Sequence, residues 1–178
     1  MKPKVATVWL GGCSGCHMSF LDMDERLIDL ADKIDLVYSP IADVKDFPDY
    51  VDITLVEGAI ANDEHEELAK LIRRNSKIVV SFGDCAVTGN VTAMRNPINV
   101  EDVLKRSYIE LADLTPQIPR NHNTIAELMK KAVPLHEVIK VDAFIHGCPP
   151  TADQIWFTIN ELLQGRMPNL PPVYLRFG

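Results

Sequence analysis

The run Lys4-Val5-Ala6-Thr7-Val8-Trp9-Leu10 is short, apolar and β-rich, and Gly11-Gly12 stops it abruptly. It reads as a strand that ends in a tight loop. Residues 17–33 follow, with apolar side chains at Phe20, Leu21, Leu27, Ile28, Leu30 and Ala31 and acids between them, and this spacing predicts an amphipathic helix. The same alternation continues outward. Residues 34–41, 52–57, 77–82 and 141–145 read as four further strands, closed by Pro40, Gly58, Gly83 and Gly147. Residues 62–74 and 151–164 read as helices, with Asn62 or Asp63 and Thr151 as caps. Several strands are apolar almost throughout, as buried parallel strands are. The expectation is an α/β fold: a flavodoxin-like parallel sheet of order 2-1-3-4-5 with helices on both faces.

Residues 86–140 are less regular, broken by Pro97, Pro116, Pro119 and Pro134. Helical pieces are expected at 100–111 and 124–131, and an extended tail at 170–173. No internal repeat or low-complexity segment stands out. The expectation is one domain over residues 1–178, with an irregular elaboration at about 86–140.

The chain has 178 residues, 47% hydrophobic and 24% charged, which suits a globular protein with its own core. A net charge of -7 argues against nucleic acid or an anionic membrane as partner. No apolar run approaches the roughly 20 residues that span a bilayer. The first ten residues make a poor signal peptide, so a cytoplasmic location is expected. In that reducing compartment four cysteines read as metal ligands or catalytic thiols rather than disulfides.

Cys13 and Cys16 form a Cys-x-x-Cys after the first strand; Cys85 follows the fourth strand and Cys148 the fifth. Strand C-terminal ends of a parallel sheet share one edge, so all three loops open on the same side. Four thiolates there suit a metal or an iron–sulfur cluster. Glycines beside them, among them Gly12, Gly15 and Gly147, favour the cluster, because they let backbone N–H groups approach sulfide. Cys148-Pro149 is similar to the Cys-Pro that ends ferredoxin ligand runs. Three other readings stand beside this one: a structural zinc site, although zinc usually takes two close pairs of ligands; a thioredoxin-like dithiol at Cys13 and Cys16; and burial of Cys85 and Cys148 as small apolar residues.

Four segments, Gly12-Cys13-Ser14-Gly15-Cys16, Glu57-Gly58-Ala59-Ile60, Gly83-Asp84-Cys85-Ala86 and Gly147-Cys148-Pro149-Pro150, together resemble the small subunit of nickel–iron hydrogenases. The resemblance implies a flavodoxin-like domain whose Cys13, Cys16, Cys85 and Cys148 hold one proximal [4Fe-4S] cluster. It implies a large partner subunit with the Ni–Fe centre. Longer family members carry further cysteines and a twin-arginine leader, neither of which is expected here. The related complex I subunit has a tandem Cys-Cys where this chain has Cys-x-x-Cys, and the glycine pair after the third cysteine survives only as Gly89-Asn90. What remains is similar to the small subunit of cytosolic, bidirectional NAD-reducing enzymes. That implies a diaphorase module with FMN and further iron–sulfur clusters, reducing NAD. The alternatives are an F420-, ferredoxin- or quinone-linked relative, or a Cys-x-x-Cys thiol oxidoreductase.

Other residues carry weaker expectations. Glu57, at the end of the third strand, is a candidate proton relay or alternative cluster ligand; the plainer reading is a carboxylate accepting backbone N–H groups. His146 could hydrogen-bond a cluster sulfur, or simply a loop carbonyl. Asp84 and Thr88 are expected to brace the Cys85 loop. His17 reads as structural or interfacial, and Trp9 and Trp156 as packing. Met18, Met23 and Met94 read as core or as interface with the large subunit. Nothing is assigned to His65, His122 or His136.

Overall fold

A computed structural model describes residues 1–121 and 124–175. In chain order it runs β1 (Lys4–Trp9), α1 (Gly15–Leu21), α2 (Arg26–Ala31), β2 (Asp35–Tyr38), β3 (Val51–Glu57) and β4 (Ile60–Asn62). It continues through α3 (Asp63–Asn75), β5 (Ser76–Phe82), α4 (Asp84–Thr88), α5 (Asn90–Ala93), α6 (Val100–Lys105), β6 (Leu128–Val133), β7 (Ala143–Ile145) and α7 (Ala152–Leu163). Five strands form one sheet of order β2-β1-β3-β5-β7. Every pairing in it is parallel. In terms of the five strands read from the sequence this is the expected 2-1-3-4-5.

Alternate side chains along the strands feed two cores. Val5, Ile53, Leu55, Val80 and Phe82 pack with Phe20, Leu30, Ile155, Ile159 and Leu162, which places α1, α2 and α7 on one face. Val8, Val56 and Val79 pack with Ala69, Ile72, Leu135 and Ile139, which places α3 on the other. Strands buried on both faces explain the unbroken apolar runs. The expected caps are present. The Asn62 side chain accepts from His65 N at 2.8 Å, and Thr151 and Gln154 form a reciprocal capping box.

Three local expectations are corrected. Residues 17–33 form two helices, not one. The chain turns at Asp24, whose φ is 50°, and the turn buries Met23 beside Phe20 and Leu30. Residues 128–133 form β6 rather than a helix. This strand pairs antiparallel with β4, and the Arg95 guanidinium donates to the carbonyls of Ala61 and Met129. Asn96 exchanges hydrogen bonds with the backbone of Ala132. Tertiary partners here outweigh the helical propensity of Leu-Met-Lys-Lys-Ala. In the tail, Pro172–Leu175 forms a 3-10 turn, and Gln154 Nε2 donates to the carbonyl of Tyr174. The expected helix at 100–111 is present as α6, continued by a π turn at Arg106–Glu110. His122 and residues 176–178 lie outside the described residues.

Candidate functional site

The parallel register brings three loops to one edge. Beyond β1, Gly11 and Ala59 exchange backbone hydrogen bonds of 2.9 and 2.7 Å, which seats the Cys-x-x-Cys loop against the turn after β3. Gly11 has no alternative there, because a Cβ would sit 2.9 Å from the Ala59 carbonyl oxygen. Beyond β5, Gly83 N donates to Ile145 O at 2.8 Å and Asp84 N to Gly147 O at 2.9 Å, so the Cys85 loop runs beside the Cys148 loop. Gly83 takes φ +82°, and a Cβ on it would overlap the Cys16 sulfur.

Cys13, Cys16, Cys85 and Cys148 all border one cavity of about 70 Å³, with Gly15, Glu57, Asp84, Gly147 and Pro149 completing the wall. All four thiols are free; Cys16 and Cys85 are buried, and Cys13 and Cys148 are exposed. The cavity therefore has a closed floor and an open mouth. One water needs only about 10–15 Å³ by such a measure, so the space suits a group of several atoms. Among the described residues, no three His, Cys, Asp or Glu side chains converge to hold a single metal ion.

Electrostatics point the same way. Burial pushes the Cys16 thiol up, and the charges of Glu57, Cys85, Cys13 and Cys148 push it further. Burial also raises Cys85, with Cys148 and Cys13 adding to it, while donors from Val91 N–H and the Thr92 side chain oppose the rise. Several anions cannot share this small volume unless a cationic group neutralises them. Four sulfur donors that need such compensation fit a polynuclear iron centre well.

Glu57 is 2% exposed. Its Oε1 accepts Cys16 N–H at 3.3 Å, and its Oε2 accepts His17 N–H at 3.0 Å and also the His17 Nδ1–H. The carboxylate thus holds the start of α1, which fits the plainer of the two expectations for it. His17 is correspondingly structural: its ring is buried between Trp9 and Phe82. Gly12 is exposed and is not among the cavity-lining residues; a Cβ there would make ordinary contact with Gly58 and Glu57. His146 is not among the cavity-lining residues; its exposed ring stacks on Phe144, with centroids 6.4 Å apart. Met23 is core, whereas Met18 and Met94 are exposed. Trp156 packs under the cations of Lys33 and Arg26. Thr92 was not legible in advance, since it lies seven residues beyond Cys85 and reaches the site only because Gly89, at φ +82°, turns the chain back.

Fold and site together define a parallel α/β protein that gathers four free thiols at the carboxyl edge of its sheet. The family model for NADH ubiquinone oxidoreductase, 20 Kd subunit, matches residues 13–162, and the chain belongs to this family. It is homologous to the NAD-reducing hydrogenase HoxS subunit delta of Cupriavidus necator, at 41% identity over 99% of this chain and 86% of that one. It is 38% identical to a subunit of the F420-non-reducing hydrogenase of Methanothermobacter marburgensis, over 98% of this chain but only 58% of the relative. A crystal structure of NAD⁺-reducing [NiFe]-hydrogenase in the H2-reduced state contains a chain that superposes with TM-score 0.94, at 38% identity and with both chains fully covered. The Ni-Fe-Se hydrogenase of Desulfomicrobium baculatum shares the fold at TM-score 0.61 and 18% identity, over 97% of this chain and 68% of that one.

Proposed function

We propose that this chain is the electron-transfer small subunit of a nickel–iron hydrogenase complex of the NAD-reducing kind. The observation that carries this reading is the convergence of all four cysteines on one cavity. Cys13, Cys16, Cys85 and Cys148 would each give one thiolate to a single [4Fe-4S] cluster. When bound, that cluster supplies one-electron transfer between the Ni–Fe centre of a large partner subunit and a diaphorase module with FMN and iron–sulfur clusters that reduces NAD. The chain's own part is positional. Glu57 orients the Cys16 backbone, Gly83 leaves room for the Cys16 sulfur, and the exposed side at Cys13 and Cys148 faces a partner.

For Glu57 we favour holding the loop over proton relay or alternative iron ligation, because both of its oxygens are already engaged by donors. The NAD-linked type is supported by the 41% identity to the HoxS subunit delta and by the TM-score of 0.94 against a chain of NAD⁺-reducing [NiFe]-hydrogenase. No helix among the described residues is long and apolar enough to cross a membrane. The test is to purify the native complex, identify its subunits by mass spectrometry and assay H2-dependent NAD reduction. Co-purifying large and flavin-bearing subunits with that activity support the proposal. An F420-, ferredoxin- or quinone-linked set of subunits overturns the NAD assignment, and the isolated chain should show no hydrogenase activity.

A further inference from the structure

Two cysteine loops meet at one acidic side chain. The β5–β7 ladder does not end with its strands: Gly83 N–H donates to Ile145 O and Asp84 N–H to Gly147 O, which carries the pairing into both loops. The next bond comes from a side chain, as Gly147 N–H donates to Asp84 Oδ1 at 2.8 Å. Asp84 and Gly147 therefore grip each other in both directions. Each is immediately followed by a cysteine, Cys85 and Cys148. Gly147 is at φ +134°, and a Cβ there would come within 2.5 Å of Pro150 Cα, so the loop keeps this path only with glycine. The Asp84 backbone carbonyl is held in turn by the Thr88 hydroxyl at 2.9 Å.

Asp84 also forms part of the cavity wall. A charge on this residue thus lies near the space in which an electron would be gained and lost. A fixed negative charge there opposes addition of an electron, and net charge is one of the levers that set the potential of a cysteine-ligated cluster.

We infer that Asp84 is a positioning residue with two effects: it sets the spacing of Cys85 and Cys148, and its charge holds the reduction potential of the bound centre down. This rests on the cluster reading above and adds to it which residue tunes the site.

Two substitutions separate the effects. Asp84→Asn keeps an acceptor oxygen for Gly147 N–H and removes the charge; Asp84→Ala removes both. Each full-chain variant is purified anaerobically with its associated subunits. Iron and acid-labile sulfide are measured, and the reduced signal is titrated against potential by EPR, identified as the signal lost on Cys148→Ala. The expected result is near-native iron and sulfide in Asp84→Asn with a midpoint shifted to more positive potential, and a loss of iron and sulfide in Asp84→Ala. An unshifted or lowered midpoint in Asp84→Asn overturns the electrostatic role, and native content in Asp84→Ala overturns the spacing role. If the wild-type chain itself carries no iron or sulfide, the cluster reading fails first and this inference falls with it.

Discussion

Glu57 and His17 are joined twice: one carboxylate oxygen accepts both the backbone N–H and the ring Nδ1–H of the same residue. The other oxygen takes the Cys16 N–H. A single buried acid therefore fixes the first turn of α1 and the direction of the inner thiol. Glu57→Ala leaves three buried donors without their acceptor, at about 1–3 kcal/mol for each unsatisfied group. Thermal unfolding should show a loss of several kcal/mol, about 3 or more. Glu57→Gln should lose less, because an amide oxygen still accepts. Equal stability of Glu57→Ala and wild type would mean that the loop is held by something else.

The inner and outer thiols should differ in reactivity. Cys16 is buried and its thiol is pushed up, so little thiolate forms at neutral pH, whereas Cys13 and Cys148 are exposed. In the metal-free chain, mass spectrometry after iodoacetamide treatment should find Cys13 and Cys148 labelled first and Cys16 last. Labelling of Cys16 at the rate of Cys13 would contradict the geometry of the floor.

The same shift gives a pH dependence to the metal-free fold. A thiol held above its ordinary value of 9.0 favours the folded state below that value, and the contribution fades as pH climbs past it towards the folded value. Thermal melts of the metal-free chain should lose stability with rising alkalinity above 9.0, and Cys16→Ala should lose less across the same range. Parallel losses in both proteins would assign the effect to other groups.

Gly83→Ala should abolish the site while sparing the sheet. The residue stands at φ +82°, and its new methyl group would collide with the Cys16 sulfur. Backbone strain of this kind costs of order 1–3 kcal/mol. Circular dichroism should remain native-like and iron content should fall. Full iron loading in Gly83→Ala would show that Cys16 can be displaced without consequence.

At the far end of the sheet, Asp142 joins α3 to β5. Burial would raise its carboxyl, but Arg73 at 2.6 Å and Val79 N–H at 2.9 Å hold it below the ordinary 3.8. A depressed carboxyl stabilises the fold above its ordinary value and loses that contribution as pH falls below it. Asp142→Asn should cost about 1–3 kcal/mol at neutral pH, and urea midpoints should converge with wild type in acid. A constant gap down to low pH would assign the cost to packing instead.

Much of this molecule was legible in its sequence because the relevant signals are local. Gly11-Gly12 and Gly83 mark strand ends, Asn62 and Thr151 mark helix starts, and the apolar runs mark buried parallel strands. The cysteines could be placed together because every strand end shares one edge. What escaped depends on partners distant in sequence. Residues 128–133 become a strand only through β4, Arg95 and Asn96. Asp84 reaches a residue 63 positions away. That Asp84 braces the Cys85 loop was expected from its place directly before Cys85; its bond to Gly147 was not.

The central claim is that Cys13, Cys16, Cys85 and Cys148 jointly hold one [4Fe-4S] cluster. Its most direct test is the iron and acid-labile sulfide content of the anaerobically purified full chain, compared with each single Cys→Ala variant. About four irons and four sulfides per chain, falling in each of the four variants, is the expected result. A wild-type chain that holds zinc or no metal, or whose iron and sulfide survive every one of the four substitutions, would contradict it.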